Sequence, residues 1–134
     1  MKKFSLSIAV ALCLAGISSC EKDEGKLPNI AFKTGTGYTA ADATVFVDSS
    51  VTVGISASKA ETADVLKTFN VTRTINGVDS SIITTALSGS QGDSYATDVV
   101  LKGLAPIGKK ATYTFAVTNR DGLVNKVSLS ITSK

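Results

Sequence analysis

There is no histidine in this chain of 134 residues, and no tryptophan. The first absence removes imidazole from every catalytic and metal-binding scheme. Ser-His-Asp and Cys-His nucleophile systems are excluded, and so are zinc sites that rely on a ring nitrogen. Cysteine is nearly as scarce: the two present are Cys13 and Cys20. One of them lies in a segment that reads as removable, which leaves a mature chain with no internal disulfide and no thiolate metal site. No G-x-x-x-x-G-K-[ST] loop is present to cradle phosphates. Carboxylates remain, and a pair of them can act as acid and base. They are scattered, however, through segments that read as loops and turns. Asp42 with Asp48, or Asp93 with Asp98, are the pairs that could approach each other, but turn formation and solvation are much the better account of them. Asp121-Gly122 lacks a second acidic ligand in D-x-D spacing and reads as a turn, not a calcium loop. The expectation is therefore no catalytic residue, no metal and no cofactor.

What is there begins with an address. Met1-Lys2-Lys3 is a short positive stretch, Phe4 to Ala15 is apolar, and Gly16 to Ser19 is small and weakly polar. Charge, apolar run and small residues in that order make a secretory signal over residues 1–19. About a dozen apolar residues are too few to span a hydrocarbon core that needs roughly 20. Without that segment Lys2 and Lys3 are lost, and the excess of positive charge shrinks from three to one: 12 basic against 11 acidic residues. The mature sequence has no run of clustered Lys and Arg, so nucleic acid is not an expected partner.

Ile17-Ser18-Ser19-Cys20 resembles the bacterial lipobox, an aliphatic residue and two small ones before a cysteine. The resemblance implies that the Cys20 thiol takes a diacylglycerol and that cleavage falls just before it. Two or three acyl chains anchor stably where one would be marginal. Glu21-Lys22-Asp23-Glu24-Gly25-Lys26 follows. The acidic run resembles the surface-export signal of Bacteroidetes lipoproteins, carried here by Lys22, Asp23 and Glu24. A solvated tether would have the same composition. The implied location is the outer membrane, lipid-anchored and facing the cell surface, with the periplasmic face as the alternative. The lipid anchor makes a membrane the one partner that can be named.

Residues 20–28 read as the anchor cysteine and a flexible acidic tether, and residues 29–134 as one domain. The domain is rich in Thr, Ser, Val and Ile, with turn residues at short intervals. Strands are expected over Asn29–Lys33, Ala43–Val47, Val51–Ala57, Leu66–Ile75, Val78–Leu87, Tyr95–Leu101, Thr112–Thr118 and around Val127–Ile131. Period-two alternation marks Val51, Val53, Ile55 and Ala57 as inward, and likewise Tyr113, Phe115 and Val117. Phe32 and Phe46 are expected to join them. Arg73 falls in phase with inward Phe69, Val71 and Ile75, which leaves the direction of that strand's end open. Asn76-Gly77 is the sharpest local signal, since both residues accept the positive φ of a type I′ hairpin. Residues 58–65 and Gly89–Asp93 read as loops. Asn70-Val71-Thr72 matches a glycosylation acceptor but falls inside a strand and is read as chance.

Gly103-Leu104-Ala105-Pro106, Tyr113-Thr114-Phe115-Ala116-Val117 and Asn119-Arg120-Asp121-Gly122 together resemble the penultimate strand region of immunoglobulin-like modules, of the fibronectin type III and polycystic-kidney-disease kinds. The texture of residues 29–132 is similar to that of small Bacteroidetes lipoproteins with such a domain. The fold class this implies is all-β, an immunoglobulin-like sandwich of seven to eight strands. The function it implies is a non-catalytic interaction or structural module on a membrane anchor. The alternative is an accessory glycan-binding lipoprotein of a polysaccharide-uptake system. Sugars stack on exposed aromatics, and Tyr38, in a Gly-rich loop, is the one such candidate. The protein or glycan partner itself is not legible.

Overall fold

The computed structural model describes residues 25–134, and over them the chain is all-β. Eight strands follow in order: β1 (Asn29–Phe32), β2 (Ala43–Val45), β3 (Ser50–Ser58), β4 (Leu66–Ile75), β5 (Val78–Ala86), β6 (Ser94–Lys102), β7 (Lys110–Asn119) and β8 (Val124–Ser133). They form a three-stranded sheet, β1-β3-β6, and a five-stranded sheet, β2-β8-β7-β4-β5. All pairs are antiparallel except β2 with β8. A short 3-10 turn at Gly89–Gly92 carries the chain from β5 in one sheet to β6 in the other.

The alternation read from the sequence is the alternation that packs. Val53, Ile55, Phe115 and Val117 are fully buried, and Tyr113 nearly so. Two ring contacts join the sheets. Phe32 of β1 meets Phe115 of β7 edge-on, with centroids 5.7 Å apart. Tyr95 of β6 meets Phe69 of β4 at 5.4 Å. Arg73 keeps its phase: it lies opposite Tyr113 in the register of β4 and β7. The β4–β5 turn is the one expected, with Asn76 at φ 51° and Gly77 at φ 78°, the sense that type I′ demands. A register shift between Val71 and Thr72 leaves Ile82 unpaired on β5.

Two expectations change. Phe46 is not in the core. Strand β2 ends at Val45, Val47 makes only an isolated bridge to Gly103, and Phe46 is 63% exposed with the Lys134 ammonium 4.9 Å above its ring. The alternation runs on past the strand: Ala43, Val45 and Val47 are half-buried while Thr44 and Phe46 are exposed, so Phe46 falls in the outward phase despite its apolar ring. The second change concerns residues 26–28. Pro28 is buried, its carbonyl accepts a bond from the Asn125 amide at 2.9 Å, and the Lys26 carbonyl accepts one from Asn119. Residues 26–28, within the stretch read as tether, are thus held against the end of the sandwich where β7 finishes and β8 begins.

That docking defines two poles. One carries residues 25–28, Asp64 and the β7–β8 turn. Here the buried Asp64 carboxylate accepts a bond from Asn119 Nδ2 at 2.7 Å, while Asn119 Oδ1 accepts the Asp121 and Leu123 amides. The other carries the β4–β5 turn, the β6–β7 loop and the β2–β3 turn. The ten residues of β7 separate them, roughly 33 Å of strand.

Candidate functional site

Tyr38 is the side chain that the sequence offered as a binding platform, and the structure gives it another role. Its ring lies on the outer face of the small sheet over Gly54, where a β carbon would come within 2.6 Å of Tyr38 Cε1 and 2.7 Å of Lys33 Cδ. Glycine at 54 is what allows the ring and the lysine stem to lie against β3. Tyr38 donates to Asp98 Oδ2 at 3.3 Å, and Lys33 Nζ donates to Asp98 Oδ1 at 3.0 Å and stands 5.6 Å from the Tyr38 ring centre. The hydrogen bond to Asp98 holds the Lys33 ammonium above its ordinary range, against a smaller opposing effect of burial. The cluster is closed on itself: one ring face is covered and the hydroxyl is engaged. A flat, free aromatic, as sugar stacking would need, is not what Tyr38 presents.

The carboxylate pairs do not assemble. Asp42 Oδ1 accepts the Ser130 amide at 2.8 Å. Asp48 sits in the β2–β3 turn at φ 68°, a conformation that Asp tolerates better than most residues. Asp93 is paired with Lys59 at 2.8 Å, while Asp98 serves Lys33 and Tyr38. Asp42, Asp93 and Asp98 are each committed to a different local partner, and Asp48 serves a turn in another part of the chain. Asn70 lies inside β4, paired on both sides. Cys20, Lys22, Asp23 and Glu24 lie outside the described residues.

The site that sequence reasoning missed is at the pole away from residues 25–28. An open groove of about 470 Å³ is lined by Asn76 of the β4–β5 turn and by Pro106, Ile107, Gly108, Lys109 and Lys110 of the β6–β7 connection. Its walls are preformed. The Pro106–Lys109 turn closes with Lys109 N donating to the Pro106 carbonyl, and Gly108 sits at φ 89°, as a turn with glycine in its third position requires. Ser133 then locks the loop: its hydroxyl donates to the Pro106 carbonyl at 2.9 Å and accepts the Lys109 amide at 3.1 Å, while its carbonyl accepts the Gly108 amide at 2.8 Å. Lys109-Lys110 is a two-residue signal, too short to stand out. Lys102 and Lys134 reach the same pole only because β6 and β8 both end there.

Neither a family model nor a curated protein sequence matches this chain. Among solved structures the fold has clear counterparts. A variant of superoxide reductase (neelaredoxin) from Ignicoccus hospitalis superposes with a TM-score of 0.52 at 14% identity, over 89% of this chain and 86% of that one. A second structure of superoxide reductase (neelaredoxin) from Ignicoccus hospitalis gives 0.52 at 13% identity, over 81% of each. At this identity the likeness is one of fold. It nevertheless corrects the functional expectation. A non-catalytic immunoglobulin-like interaction module, or an accessory glycan-binding lipoprotein, was read from strand rhythm. The arrangement found is instead one that also carries an enzyme. Rhythm records strand lengths and turns, which unrelated sandwiches share, and does not record what the loops hold.

Reducing superoxide takes an electron, so such chemistry asks for a redox centre. The donor set here does not fit a metal centre: the sequence has no histidine, and among the described residues no three His, Cys, Asp or Glu side chains group together. What stands is the coarser description, an eight-stranded, two-sheet all-β domain.

Proposed function

We propose that this chain is a lipid-anchored envelope protein that holds its sandwich end-on to an outer membrane and works at the pole facing away. The sequence support is the signal at residues 1–19 and the lipobox-like Ile17–Cys20. The observation that carries the reading is the docking of residues 26–28. With Lys26 and Pro28 bonded to Asn119 and Asn125, few residues separate Cys20 from the folded domain. Five residues from Cys20 to Gly25 reach at most about 17 Å. A domain on so short a leash keeps the pole bearing Asn119 near the bilayer and turns the Asn76–Lys110 pole toward solvent. On this reading Lys22, Asp23 and Glu24 form the export address. The immunoglobulin-like description, resting on the Gly103–Pro106, Tyr113–Val117 and Asn119–Gly122 rhythm, belongs to the same reading and concerns fold alone.

The test is fractionation of cells expressing the full precursor. Wild type should enter the detergent phase with an acylated N-terminal residue at Cys20, seen by mass spectrometry. Cys20→Ala should appear in the aqueous phase with an unchanged melting temperature. A wild-type chain that is water-soluble with an unmodified N-terminus overturns the proposal.

A further inference from the structure

We infer that the groove between the β4–β5 turn and the β6–β7 loop is a binding site for a small, multiply charged oxyanion of the phosphate class, with Lys109 and Lys110 as its charged ligands. The inference rests on the proposed orientation only for where the ligand comes from, the solvent side; the chemistry of the groove stands without it.

Four lysines gather at this pole, Lys102, Lys109, Lys110 and Lys134, against Asp48 and Asp79. None of the four makes an ion pair with a described residue, whereas the ion pairs of Lys33 and Lys59 lie elsewhere, on the outer face of the small sheet and at the opposite pole. Asp79 is engaged by the Thr74 hydroxyl at 2.6 Å across the hairpin. The opposite pole is balanced: Glu61, Asp64, Asp93 and Asp121 stand with Lys26, Lys59, Lys67 and Arg120. There, Lys59 is tied to Asp93 and Arg120 donates to the Ala63 carbonyl at 2.7 Å. Lys26, Lys67 and Arg120 make no ion pair with a described residue either, so what sets the groove's pole apart is its excess of lysines over carboxylates, four against Asp48 and Asp79.

The groove adds what a bare charged patch lacks. Both walls are rigid, one a type I′ turn and the other a loop pinned by Ser133. A preformed site loses less order on binding. The Asn76 side chain makes no hydrogen bond with any described residue, so its amide can donate to an anion alongside the two ammonium groups. Three donors from two walls suit a tetrahedral oxyanion, which offers oxygens in several directions. Ile107, 74% exposed on the rim, offers apolar surface to the body of a phosphate ester. Charges this exposed are screened, so the interaction must be salt-sensitive.

The experiment is calorimetric titration of the full lipidated chain in non-ionic detergent with inorganic pyrophosphate, in low and in moderate salt. Saturable one-to-one binding is expected, weakening as salt rises. Lys109→Gln with Lys110→Gln should weaken it by about tenfold or more without moving the melting temperature, while Lys59→Gln at the other pole should leave it unchanged. A second arm uses anionic vesicles with the Cys20→Ala protein. Vesicle binding that exceeds pyrophosphate binding and depends on Lys109 and Lys110 would show a lipid surface as the true anion and overturn the small-ligand assignment. Absence of saturable binding, or equal weakening by Lys59→Gln, overturns the site. A chain that partitions into detergent yet fails to bind overturns the groove alone. A chain that binds but is not acylated overturns the anchor alone.

Discussion

The ring of Tyr38 rests on the backbone of Gly54, so closely that a β carbon at position 54 would lie 2.6 Å from Tyr38 Cε1. Asp98, the register partner of Gly54 on β6, accepts bonds from both Tyr38 and Lys33. The small sheet is thus covered on its outer face by one self-contained cluster, and the cluster depends on a missing side chain. Gly54→Ala should destabilise the domain by about 1–3 kcal/mol through overpacking. In Gly54→Ala with Tyr38→Ala the ring is gone and part of that strain with it, so urea denaturation should show a double variant less destabilised than the sum of the singles. Strict additivity would mean that the Tyr38 ring does not occupy this position.

Phe115 sits on the middle strand of the five-stranded sheet, fully buried and edge-on to Phe32 of the other sheet. Thr114, one residue away, points outward and shares a hydrogen bond with Ser128 at 3.1 Å on the exposed face. Truncating a buried phenylalanine costs about 3–5 kcal/mol, a large part of the roughly 5–15 kcal/mol by which a domain is stable. Phe115→Ala should leave much of the population unfolded at growth temperature, and Thr114→Ala should shift the denaturation midpoint little. Comparable effects from the two would place the strand in the opposite phase.

The alkaline side of the stability curve should be set by Tyr113 and, more weakly, by Lys33. Burial pushes the Tyr113 hydroxyl above its ordinary 10.0, with Arg73 opposing in part. The Asp98 bond raises Lys33 above 10.5. In both cases the native chain keeps a proton that the unfolded chain releases. Their contribution is intact below those ordinary values and is lost as pH rises through the native ones. Lys33 is exposed, so solvent screens its share. The melting temperature should therefore begin to fall as pH rises toward the ordinary tyrosine and lysine values, about 10, and go on falling above them, and Tyr113→Phe should flatten that fall whatever it does to the starting value. An unchanged slope would remove Tyr113 as its source.

How much of this was legible follows from the range of each signal. Alternation over Val51–Ala57 and Tyr113–Val117 gave strands and their inward faces, because period two is local and the core rewards it directly. Asn76-Gly77 gave its turn for the same reason. Phe46 is large and apolar but shares its phase with exposed Thr44, opposite to half-buried Ala43, Val45 and Val47, so phase and not hydrophobicity decided its side. Tyr38 was read as exposed because nothing in its own loop announces Gly54, sixteen positions on. The lysines of the far pole were invisible as a group, since Lys102, Lys109, Lys110 and Lys134 meet only through strand order. Sheet order is non-local, and it also separates one sandwich family from another, which is why strand rhythm alone led to the wrong function.

The run Glu21–Glu24 tests the proposed address. Lys26 and Pro28 are bonded to the pole, and on the proposed reading the charge of residues 21–24 serves as the signal. Replacing all four with alanine should leave acylation at Cys20 unchanged and the melting temperature within about 1 °C, since distant surface changes stay within roughly 0.5 kcal/mol. On intact cells, however, the alanine protein should lose its exposure to external protease while wild type is cleaved. Equal exposure of the two would reduce the run to a spacer. A wild-type protein shielded until the outer membrane is opened would place the working pole in the periplasm. The anion for the Lys109–Lys110 groove would then be sought among periplasmic solutes.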